Sequence, residues 1–372
     1  MKFSRIFIMM LAILWLAAGV RAAEVGEFSI PDVRPLDESE RGRLREFVQS
    51  DAEAKVIAEQ VAEQAKPFIG AEARPVEVIH YEGLVNTNPK RVKTVENLSQ
   101  MAEAGWLLRH WQLTGDEAAA ETLREWIVTW TSTYKITGND VNENKFYPLL
   151  VAYLALRDTM DGENVKQVDA WVERLGEAHE KHVKESTHFT NRYSKSVRLL
   201  AIAGMILDRE EWVVEAHKGI RRFVRNNLYA DGTSEDLKRR DSLTYHKSSL
   251  KPVVDLAIMT GGDEGRALYD WESERGGSIR KSVDYLVPYA MGEKTHEEWK
   301  DTKVDLDRRR AKAGLEKYRP GRLYEPKNAQ DLMERAAYFD PELHKVVLHL
   351  TDSDAKHFPT FLSLLNAAKR EE

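Results

Sequence analysis

Apolar residues recur about every three to four positions through most of this 372-residue chain, which is the period of helices with one buried face. The pattern predicts helices over residues 94–113, 117–134, 142–160, 164–184, 193–207, 209–226 and 242–259, and a long polar helix over 39–65. Residues 67–93 contain prolines and glycines without a clear period and predict a loop. Residues 345–350 suit a helix as well as a strand, so the pattern predicts an all-α protein.

Short turns join the predicted helices. In the turn at residues 114–116, Gly115 ends one helix and Asp116 is placed to cap the next. Helices joined in this way pack as antiparallel neighbours, and a long series of such hairpins is typical of an α-solenoid or an α/α toroid. No repeat of about 20–50 residues is visible, which favours the toroid, an incomplete α/α barrel. No linker is evident, so we expect one domain over residues 24–372.

The first 23 residues predict a secretory signal peptide. Lys2 and Arg5 precede an apolar run over residues 6–20, and Ala22 lies in a cleavage site of small residues. The run is short for a membrane span, and an uncleaved N-terminal anchor is the alternative. We therefore expect a periplasmic or secreted protein without stable membrane association after cleavage. Cleavage removes three cations and changes the net charge from −6 to about −9.

Composition excludes several classes of chemistry. The chain has no cysteine, so thiolate nucleophiles and cysteine zinc sites are absent. Its negative charge disfavours nucleic acid as a partner. His179 and His182 lie three residues apart on a charged helix without a third ligand, and we interpret them as solvent-facing. No nucleotide-binding or serine-hydrolase motif is present, so we expect neither a cofactor nor a metal.

Residues 231–246 concentrate the most informative side chains. A glycine turn and an acidic pair precede Arg239 and Arg240, and Tyr245 and His246 follow. A tyrosine near guanidinium groups can transfer protons, because nearby positive charge favours the phenolate. The same guanidiniums can bind a carboxylate. The run therefore predicts a site for a carboxylated substrate with an acidic C–H bond.

These residues resemble the alginate lyase family of helical-toroid polysaccharide lyases, in which an acidic-Leu-Lys-Arg-Arg segment precedes Leu-x-Tyr-His. The matching segments here are residues 236–240 and 243–246. The family also has an Asn-His pair roughly fifty residues upstream, where this chain has Asn191 and Arg192. The asparagine is retained and arginine occupies the histidine position. The resemblance covers roughly residues 80–260 and implies an α/α toroid that cleaves polyuronates by β-elimination.

β-Elimination removes the C5 proton of a uronate and protonates the departing O4, while negative charge gathers on the carboxylate. We expect Tyr245 to be both base and acid, because the C5 proton and O4 lie on one face of β-D-mannuronate and β-D-glucuronate. Asn191 and Arg192 are the expected carboxylate clamp. Since Arg192 stays charged and cannot be a base, His188, one helical turn earlier, is the alternative replacement for the family histidine.

Other residues are candidates for substrate binding. Arg239 best matches the family's substrate-binding arginine, with Arg240 as the alternative, and His246 either orients the tyrosine, contacts sugar or is structural. Related lyases carry a lid near residues 86–91, where Tyr81, Lys90 and Arg91 are candidates. The candidate substrate-binding residues are Arg239, Arg240, His246, Asn144, Lys145, Tyr193 and Arg91.

Some of these features also have simple structural interpretations. The segment that carries Asn144 and Lys145 also suits a helix start capped by Asn142. The tryptophans at 106, 111, 126 and 130 have helical spacing that favours the core over sugar stacking. The run 305–310 is typical of a solvated helix face, with a role in gripping a polyanion as the alternative.

The sequence therefore predicts a lyase acting on an acidic polysaccharide, either polymannuronate-containing alginate or β-1,4-glucuronan. One alternative is a glycoside hydrolase on the same fold. It would need two carboxylates across a cleft, for which Glu143, Glu185 and Glu235 are available without a pairing pattern. The other alternative is a non-catalytic polysaccharide-binding protein, since the family histidine is missing.

Overall fold

The computed structural model describes residues 33–80, 84, 88–351 and 357–368. The predicted signal peptide and Tyr81 lie outside these residues. The described chain is almost entirely helical, as predicted, with one two-stranded antiparallel ribbon. None of the helices in these ranges is long and apolar enough to cross a bilayer.

The helices of the first half are α1 (Glu38–Ser50), α2 (Ala52–Ala65), α3 (Pro89–Leu98), α4 (Gln100–Thr114), α5 (Glu117–Thr133), α6 (Asp140–Glu143), α7 (Tyr147–Leu156), α8 (Gly162–Glu185) and α9 (Asn191–Ile206). Those of the second half are α10 (Glu210–Asn227), α11 (Glu235–Arg240), α12 (Leu243–Thr260), α13 (Gly262–Asp270), α14 (Ile279–Ala290), α15 (Asp305–Lys312), α16 (Gln330–Ala336), α17 (His344–Thr351) and α18 (Phe361–Ala368). Strands β1 (Glu297–Glu298) and β2 (Arg322–Leu323) form the ribbon.

The long polar segment over residues 39–65 is two helices rather than one. Asp51 leaves the helical conformation, and its carboxylate accepts hydrogen bonds at 2.8 Å from the backbone N–H groups of Glu53 and Ala54. An aspartate that caps a new helix start ends the preceding helix at the same point. Apolar spacing alone does not reveal such a break, because the spacing continues across it.

The predicted loop over residues 67–93 ends earlier than expected. Asn88 accepts a hydrogen bond from the backbone N–H of Lys90, and Pro89 occupies the first position of α3. Proline favours this position because its missing N–H has no partner there in any helix. Lys90 and Arg91 therefore lie in the first turn of a helix rather than in a loop. This helix ends at Leu98, so the segment predicted over 94–113 is also divided.

The assignment of Asn142 as a helix cap is wrong. Asn139 caps α6, accepting hydrogen bonds from the backbone N–H groups of Val141 and Asn142. Asn142 lies inside this short helix, where it is buried and donates to the carbonyl of Ile79 at 3.3 Å. Helix α5, by contrast, begins as predicted, with Asp116 accepting from the backbone N–H of Ala118.

Helix α9 is the centre of the helical packing. It packs against α8, α10 and α12, and every residue from Ser196 to Gly204 is buried. Helices α2, α5 and α7 pack in the same manner around α4. The successive antiparallel hairpins build the predicted α/α toroid.

The tryptophans at 126 and 130 belong to the core, as their spacing indicates. Both are fully buried, and their indole N–H groups donate to the carbonyl of Ala71 at 2.7 Å and to Oε1 of Gln100 at 2.6 Å. Trp111 is also buried, with the guanidinium of Arg41 over its ring. These rings stabilise the packing of α4 and α5 and are not available to stack on a sugar.

The ribbon anchors the C-terminal part of the chain to the start of α12. Glu298 of β1 is buried, and its carboxylate accepts hydrogen bonds at 2.8 Å from the hydroxyl of Ser242 and the backbone N–H of Thr244. The Thr244 hydroxyl donates to the second carboxylate oxygen at 3.0 Å. These bonds fix residues 297–323 beside the Tyr-His segment.

Gly176 allows α8 and α10 to approach closely. A Cβ atom at this position would lie 2.1 Å from Cζ3 of Trp212, which is far inside van der Waals contact. Gly105 lies in the middle of α4, and a Cβ atom there would meet no atom within 4 Å. The contact between α8 and α10 therefore requires a glycine at position 176, whereas α4 has space for a side chain at position 105.

We expect Gly176→Ala to lower the free energy of unfolding by about 1–3 kcal/mol, because the added methyl overpacks the interface with Trp212. Gly105→Ala is the matched control and should raise stability by about 0.5–1 kcal/mol, since alanine loses less backbone entropy in a helix. Urea unfolding followed by circular dichroism measures both. Equal effects of the two substitutions would contradict this account of the α8–α10 contact.

Candidate active site

A groove of about 480 Å³ opens where the start of α9, the start of α12 and the residues around α15 meet. Its lining comes from segments far apart in the chain. The lining residues are Leu84, Arg91, Val141, Asn144, Lys145, Asn191, Arg192, Lys195, Arg240, Thr244, Tyr245, Ser248, Leu306, Arg310, Leu315, Lys317 and Tyr318.

The lining of the groove is strongly cationic. Seven of these residues are lysine or arginine, and none of the described lining residues is acidic. The whole chain nevertheless has a net charge of −6. Such local concentration of one charge creates a field that attracts polyanions. The groove is therefore suited to a polymer that carries repeated negative charges.

A buried carboxylate fixes the position of Asn191. Oδ2 of Asp236, on α11, accepts hydrogen bonds at 2.9 Å from the backbone N–H of Asn191 and from the side-chain amide of Asn227. Burial raises the pKa of Asp236 to about 6, and the amide donors lower it in part. The first residue of α9 is thereby held against α11, with its side chain at the groove.

Arg192 is also held in place by a carboxylate. Its Nε and Nη2 lie 2.9 and 2.7 Å from Oδ1 of Asp140, which is fully buried at the start of α6. The guanidinium remains 44% exposed and lines the groove. An arginine supported in this way can donate to an anion in the groove.

The interpretation of His179 as solvent-facing is wrong. His179 is fully buried, and its Nε2 lies 2.9 Å from Oε2 of Glu143 while its Nδ1 lies 3.1 Å from the hydroxyl of Ser196. Oε1 of Glu143 accepts hydrogen bonds from the backbone N–H groups of Thr137 and Gly138. Together these bonds tie the segment that carries Asp140 and Asn144 to α8 and α9. His179 is therefore a buried residue that holds this part of the groove lining in place.

Asn144 and Lys145 both line the groove. Oδ1 of Asn144 accepts a hydrogen bond at 2.5 Å from Nη2 of Arg198, whose guanidinium also binds the buried carboxylate of Asp255 and stacks 3.7 Å over the ring of Tyr147. Because the carbonyl oxygen is engaged, the NH₂ group of Asn144 is the part available to a ligand. Lys145 adds a positive charge beside it.

Tyr245 lies in the first turn of α12 and lines the groove. Ser242 caps this helix by accepting from the backbone N–H of Tyr245. The guanidinium of Arg240 lies 3.8 Å from the centre of the tyrosine ring and is held by Oδ1 of Asp307 at 2.7 Å. The buried ring of Trp299 meets Tyr245 edge-on, with 5.6 Å between centroids. The phenol is therefore fixed on both sides.

Trp299 adopts an unusual backbone conformation, with φ of 69°. Bulky residues rarely adopt the left-handed region, because the side chain crowds the following carbonyl. The backbone N–H of Trp299 donates to the carbonyl of Asp241 at 2.8 Å, which ties this conformation to the segment just before α12. Strained residues of this kind cluster at functional sites.

Tyr318 is a second tyrosine in the groove, and sequence reasoning did not identify it. Its hydroxyl accepts a hydrogen bond at 3.0 Å from Nη1 of Arg310 and interacts with the Tyr245 hydroxyl. Burial and the neighbouring Tyr245 raise the pKa of Tyr318. The Tyr318 hydroxyl therefore keeps its proton and can donate it toward Tyr245. Arg310 also lines the groove, so residues 305–310 are more than a solvated helix face.

The structure brings together only part of the predicted site. Asn191, Arg192, Arg240, Tyr245, Asn144, Lys145 and Arg91 line the groove. Arg239, preferred over Arg240 from the sequence, is exposed outside it, because one residue along α11 changes the face. His188 is exposed and is also absent from the lining.

Tyr193 and His246 lie in the core rather than in the groove. The Tyr193 hydroxyl donates to the carbonyl of Val183 at 3.3 Å and accepts from Nε of Arg222 at 2.9 Å. Nε2 of His246 donates to the carbonyl of Ser282 at 2.9 Å, and Nδ1 lies 2.8 Å from the hydroxyl of Ser234. Both polar ends are occupied by protein partners, so neither side chain can contact sugar here, and the substrate-binding assignments of both are wrong.

Among the charged and aromatic lining residues, sequence reasoning missed Lys195, Lys317 and Tyr318, whereas Arg310 belongs to the run for which gripping a polyanion was the alternative. Lys195 follows Asn191 by one helical turn, and this spacing could have identified it. The weakly periodic region around Lys317 and Tyr318 carries no comparable signal. The ribbon with Glu298, the hydrogen bond from the backbone of Trp299 to Asp241 and the Arg240–Asp307 ion pair bring that region to the groove.

The described lining offers no pair of carboxylates for hydrolysis. Glu143 is buried below the groove, and the lining includes neither Glu185 nor Glu235. In the described ranges, no three His, Asp or Glu side chains are grouped so that they could hold a metal ion. The groove places a phenol beside fixed cations, an arrangement that can support proton transfer.

Comparisons with known proteins point to one family. A family model described as alginate lyase matches residues 44–296 of this chain. No curated protein sequence matches this chain. The fold is similar to an alginate lyase from Bacteroides ovatus, with a TM-score of 0.60 and 14% identity over 93% of this chain and 99% of that one.

Two further structures have the same fold. Alginate lyase A1-III from Sphingomonas species A1 has a TM-score of 0.53 and 15% identity over 83% of this chain and 95% of that one. A variant of alginate lyase A1-III complexed with a tetrasaccharide has a TM-score of 0.56 and 15% identity over 83% of this chain and 87% of that one. At these identities the structural likeness shows the fold alone.

The burial of His246 predicts a pH dependence of stability. Burial lowers its pKa to about 4, so on acidification the unfolded chain takes up this proton near 6.5, before the folded chain does. The contribution of His246 to the free energy of unfolding should therefore fall by about 3 kcal/mol between pH 6.5 and pH 4.

Asp236 acts in the opposite direction, since a raised pKa stabilises the fold at low pH and this stabilisation is lost as pH rises through about 6. The test therefore measures urea unfolding of the protein and of His246→Asn across this range. Both proteins share the Asp236 contribution, and the difference between them should shrink as pH falls. A difference that stays constant with pH would show that His246 is not buried in its neutral form.

Proposed function

The chain belongs to the alginate lyase family of polysaccharide lyases, and from this premise we propose that it cleaves a β-1,4-linked polyuronate by syn β-elimination. Tyr245 is the base and the acid of this reaction. Polymannuronate-containing alginate is the first candidate substrate, and β-1,4-glucuronan is the second. The observation that carries the proposal is a phenol fixed against Arg240 in a groove lined by seven cations and no described carboxylate.

The reaction begins with removal of the C5 proton. As a phenolate, Tyr245 accepts this proton, and the electrons of the C5–H bond form the C4–C5 double bond as the bond from C4 to O4 breaks. The phenol then gives its proton to the departing O4. One residue performs both steps because the C5 proton and O4 lie on one face of mannuronate and glucuronate. The Arg240 guanidinium, 3.8 Å from the centre of the ring, places a fixed positive charge beside the phenol where both proton transfers take place.

The developing charge on the substrate carboxylate requires fixed donors. Asn191 and Arg192 occupy one end of α9 and are held by Asp236 and Asp140 before any substrate binds. Donors positioned in advance stabilise a transition state without a cost of reorganisation. We therefore keep Asn191 and Arg192 as the carboxylate clamp. Arg192 donates hydrogen bonds to the substrate carboxylate and does not act as a base.

Tyr318 and Arg310 extend this arrangement. Arg310 donates to the Tyr318 hydroxyl, and the Tyr318 hydroxyl interacts with that of Tyr245, to which it can donate a hydrogen bond. A hydrogen bond to the phenolate stabilises it during proton abstraction. Tyr318 is thus a positioning residue for the tyrosine that carries the chemistry.

The first 23 residues support export, and we place the enzyme in the periplasm or outside the cell on this basis. The alternative of a glycoside hydrolase lacks the two facing carboxylates that it needs among the described lining residues.

Tyr245→Phe should lower the rate of unsaturated-product formation about a thousandfold or more, because the variant has no group for either proton transfer. Ultraviolet absorbance of the unsaturated uronate measures this on polymannuronate and on glucuronan. Tyr229→Phe is the matched control, since this tyrosine bonds Glu235 outside the groove, and it should keep full activity. A saturated new reducing end would indicate a hydrolase, and binding without any product would indicate a non-catalytic protein.

Arg240→Ala should lower kcat/KM about a hundredfold, since it removes the cation beside the phenol. Arg239→Ala is the matched control from the same helix, and its effect should stay within about twofold because the side chain is exposed outside the groove. Thermal unfolding of both variants shows whether loss of the Asp307 contact affects folding. The opposite order of effects would mean that Arg239 is the substrate-binding arginine.

A further inference from the structure

Lys195 lies on α9, one helical turn after Asn191, and lines the groove together with Tyr245. Its amine has no hydrogen bond or ion pair with another residue in the described parts of the chain, unlike Arg192, which is tied to Asp140. A half-buried lysine without a partner is unusual, because burying a charge is costly unless it is paired. A function in the groove explains the position of this side chain.

The charges around Lys195 come from several elements. Asp140 on α6 and Asp236 on α11 favour the ammonium form, whereas Lys145 beside α6 and Arg198 on the same helix disfavour it. Burial is the largest effect and lowers the pKa of Lys195 to about 8. A lysine that is desolvated and close to other cations loses its proton readily and then acts as a base.

Tyr245 alone is suited only to sugars in which the C5 proton and O4 share a face. In α-L-guluronate, the C5 epimer of mannuronate, they lie on opposite faces, so a base and an acid must come from two sides of the ring. Arg192 cannot be this base because it keeps its charge. Lys195 and Tyr245 line one groove from two different helices, α9 and α12.

We propose that Lys195 is a second catalytic base, which accepts the C5 proton of α-L-guluronate residues while Tyr245 protonates the departing O4. This inference rests on the proposed lyase function and extends its substrate class to guluronate. The neutral amine takes the C5 proton and becomes an ammonium. The electrons of the C5–H bond form the C4–C5 double bond, the bond from C4 to O4 breaks, and the Tyr245 hydroxyl proton goes to O4. Proton exchange with water then restores the neutral amine and the phenol.

The test compares polyguluronate with polymannuronate for the full-length protein and three variants. Lys195→Met removes the amine but keeps the length of the side chain, and Lys195→Arg keeps the charge but cannot deprotonate. Lys145→Met is the matched control, since it removes another cation from the same groove. Ultraviolet absorbance gives the rate on each polymer, and thermal unfolding shows that each variant is folded.

Both Lys195 variants should lose at least about a hundredfold of the polyguluronate rate, with a loss on polymannuronate at least about tenfold smaller. Lys145→Met should lower both rates by a similar factor. The rate of the unchanged protein on polyguluronate should rise with pH through about 8, as the amine loses its proton. The polymannuronate rate depends on Tyr245 instead, so its pH profile should be the same for the unchanged protein and for Lys195→Met.

Three outcomes would overturn the role of Lys195: no cleavage of polyguluronate by the unchanged protein, full polyguluronate activity of Lys195→Arg, or equal losses on both polymers. Equal losses would identify Lys195 as a carboxylate ligand only. These outcomes differ from failure of the proposed function, in which the unchanged protein forms no unsaturated product from any polyuronate.

Discussion

The geometry of the groove depends on one buried carboxylate. Asp236 joins the first residue of α9 to the end of α10 through hydrogen bonds from Asn191 and Asn227. It lies in the short helix α11, which leads directly into α12 and Tyr245. The proposed clamp and the proposed acid-base residue are therefore parts of one hydrogen-bonded unit. Loss of this carboxylate would leave buried amide donors unsatisfied. The start of α9 would then no longer be bonded to the α11–α12 segment that carries Tyr245.

Much of the fold could be predicted from apolar spacing, because long amphipathic helices with short turns leave few other architectures. The spacing could not show where Asp51 and Asn139 end one helix and begin the next, since capping depends on local hydrogen bonds. It also placed His179 at the surface. A charged helix can still bury one histidine when a carboxylate such as Glu143 meets it from another segment.

The site was predictable where its residues are close in sequence. Tyr245, Arg240 and Asn191 follow from two short motifs, and the structure places all three at the groove. The choice between Arg239 and Arg240 depends on which face of the six-residue helix α11 lines the groove. The sequence motif does not indicate this face. The location of Tyr318 in the groove could not be predicted. It depends on the ribbon and on the hydrogen bonds of Glu298 to the start of α12, and such contacts between distant segments leave no local sequence pattern.

The cationic groove in an otherwise acidic protein has a consequence for how polymers and fragments are handled. A polyanion is attracted at the groove and repelled by much of the remaining surface, and at about 0.1 M salt this attraction extends only about 10 Å. A long chain spans more of the cations that line the groove than a short fragment does. Each cleavage therefore lowers the affinity of the groove for the fragments that it produces. Fragment length and ionic strength together determine when these fragments dissociate.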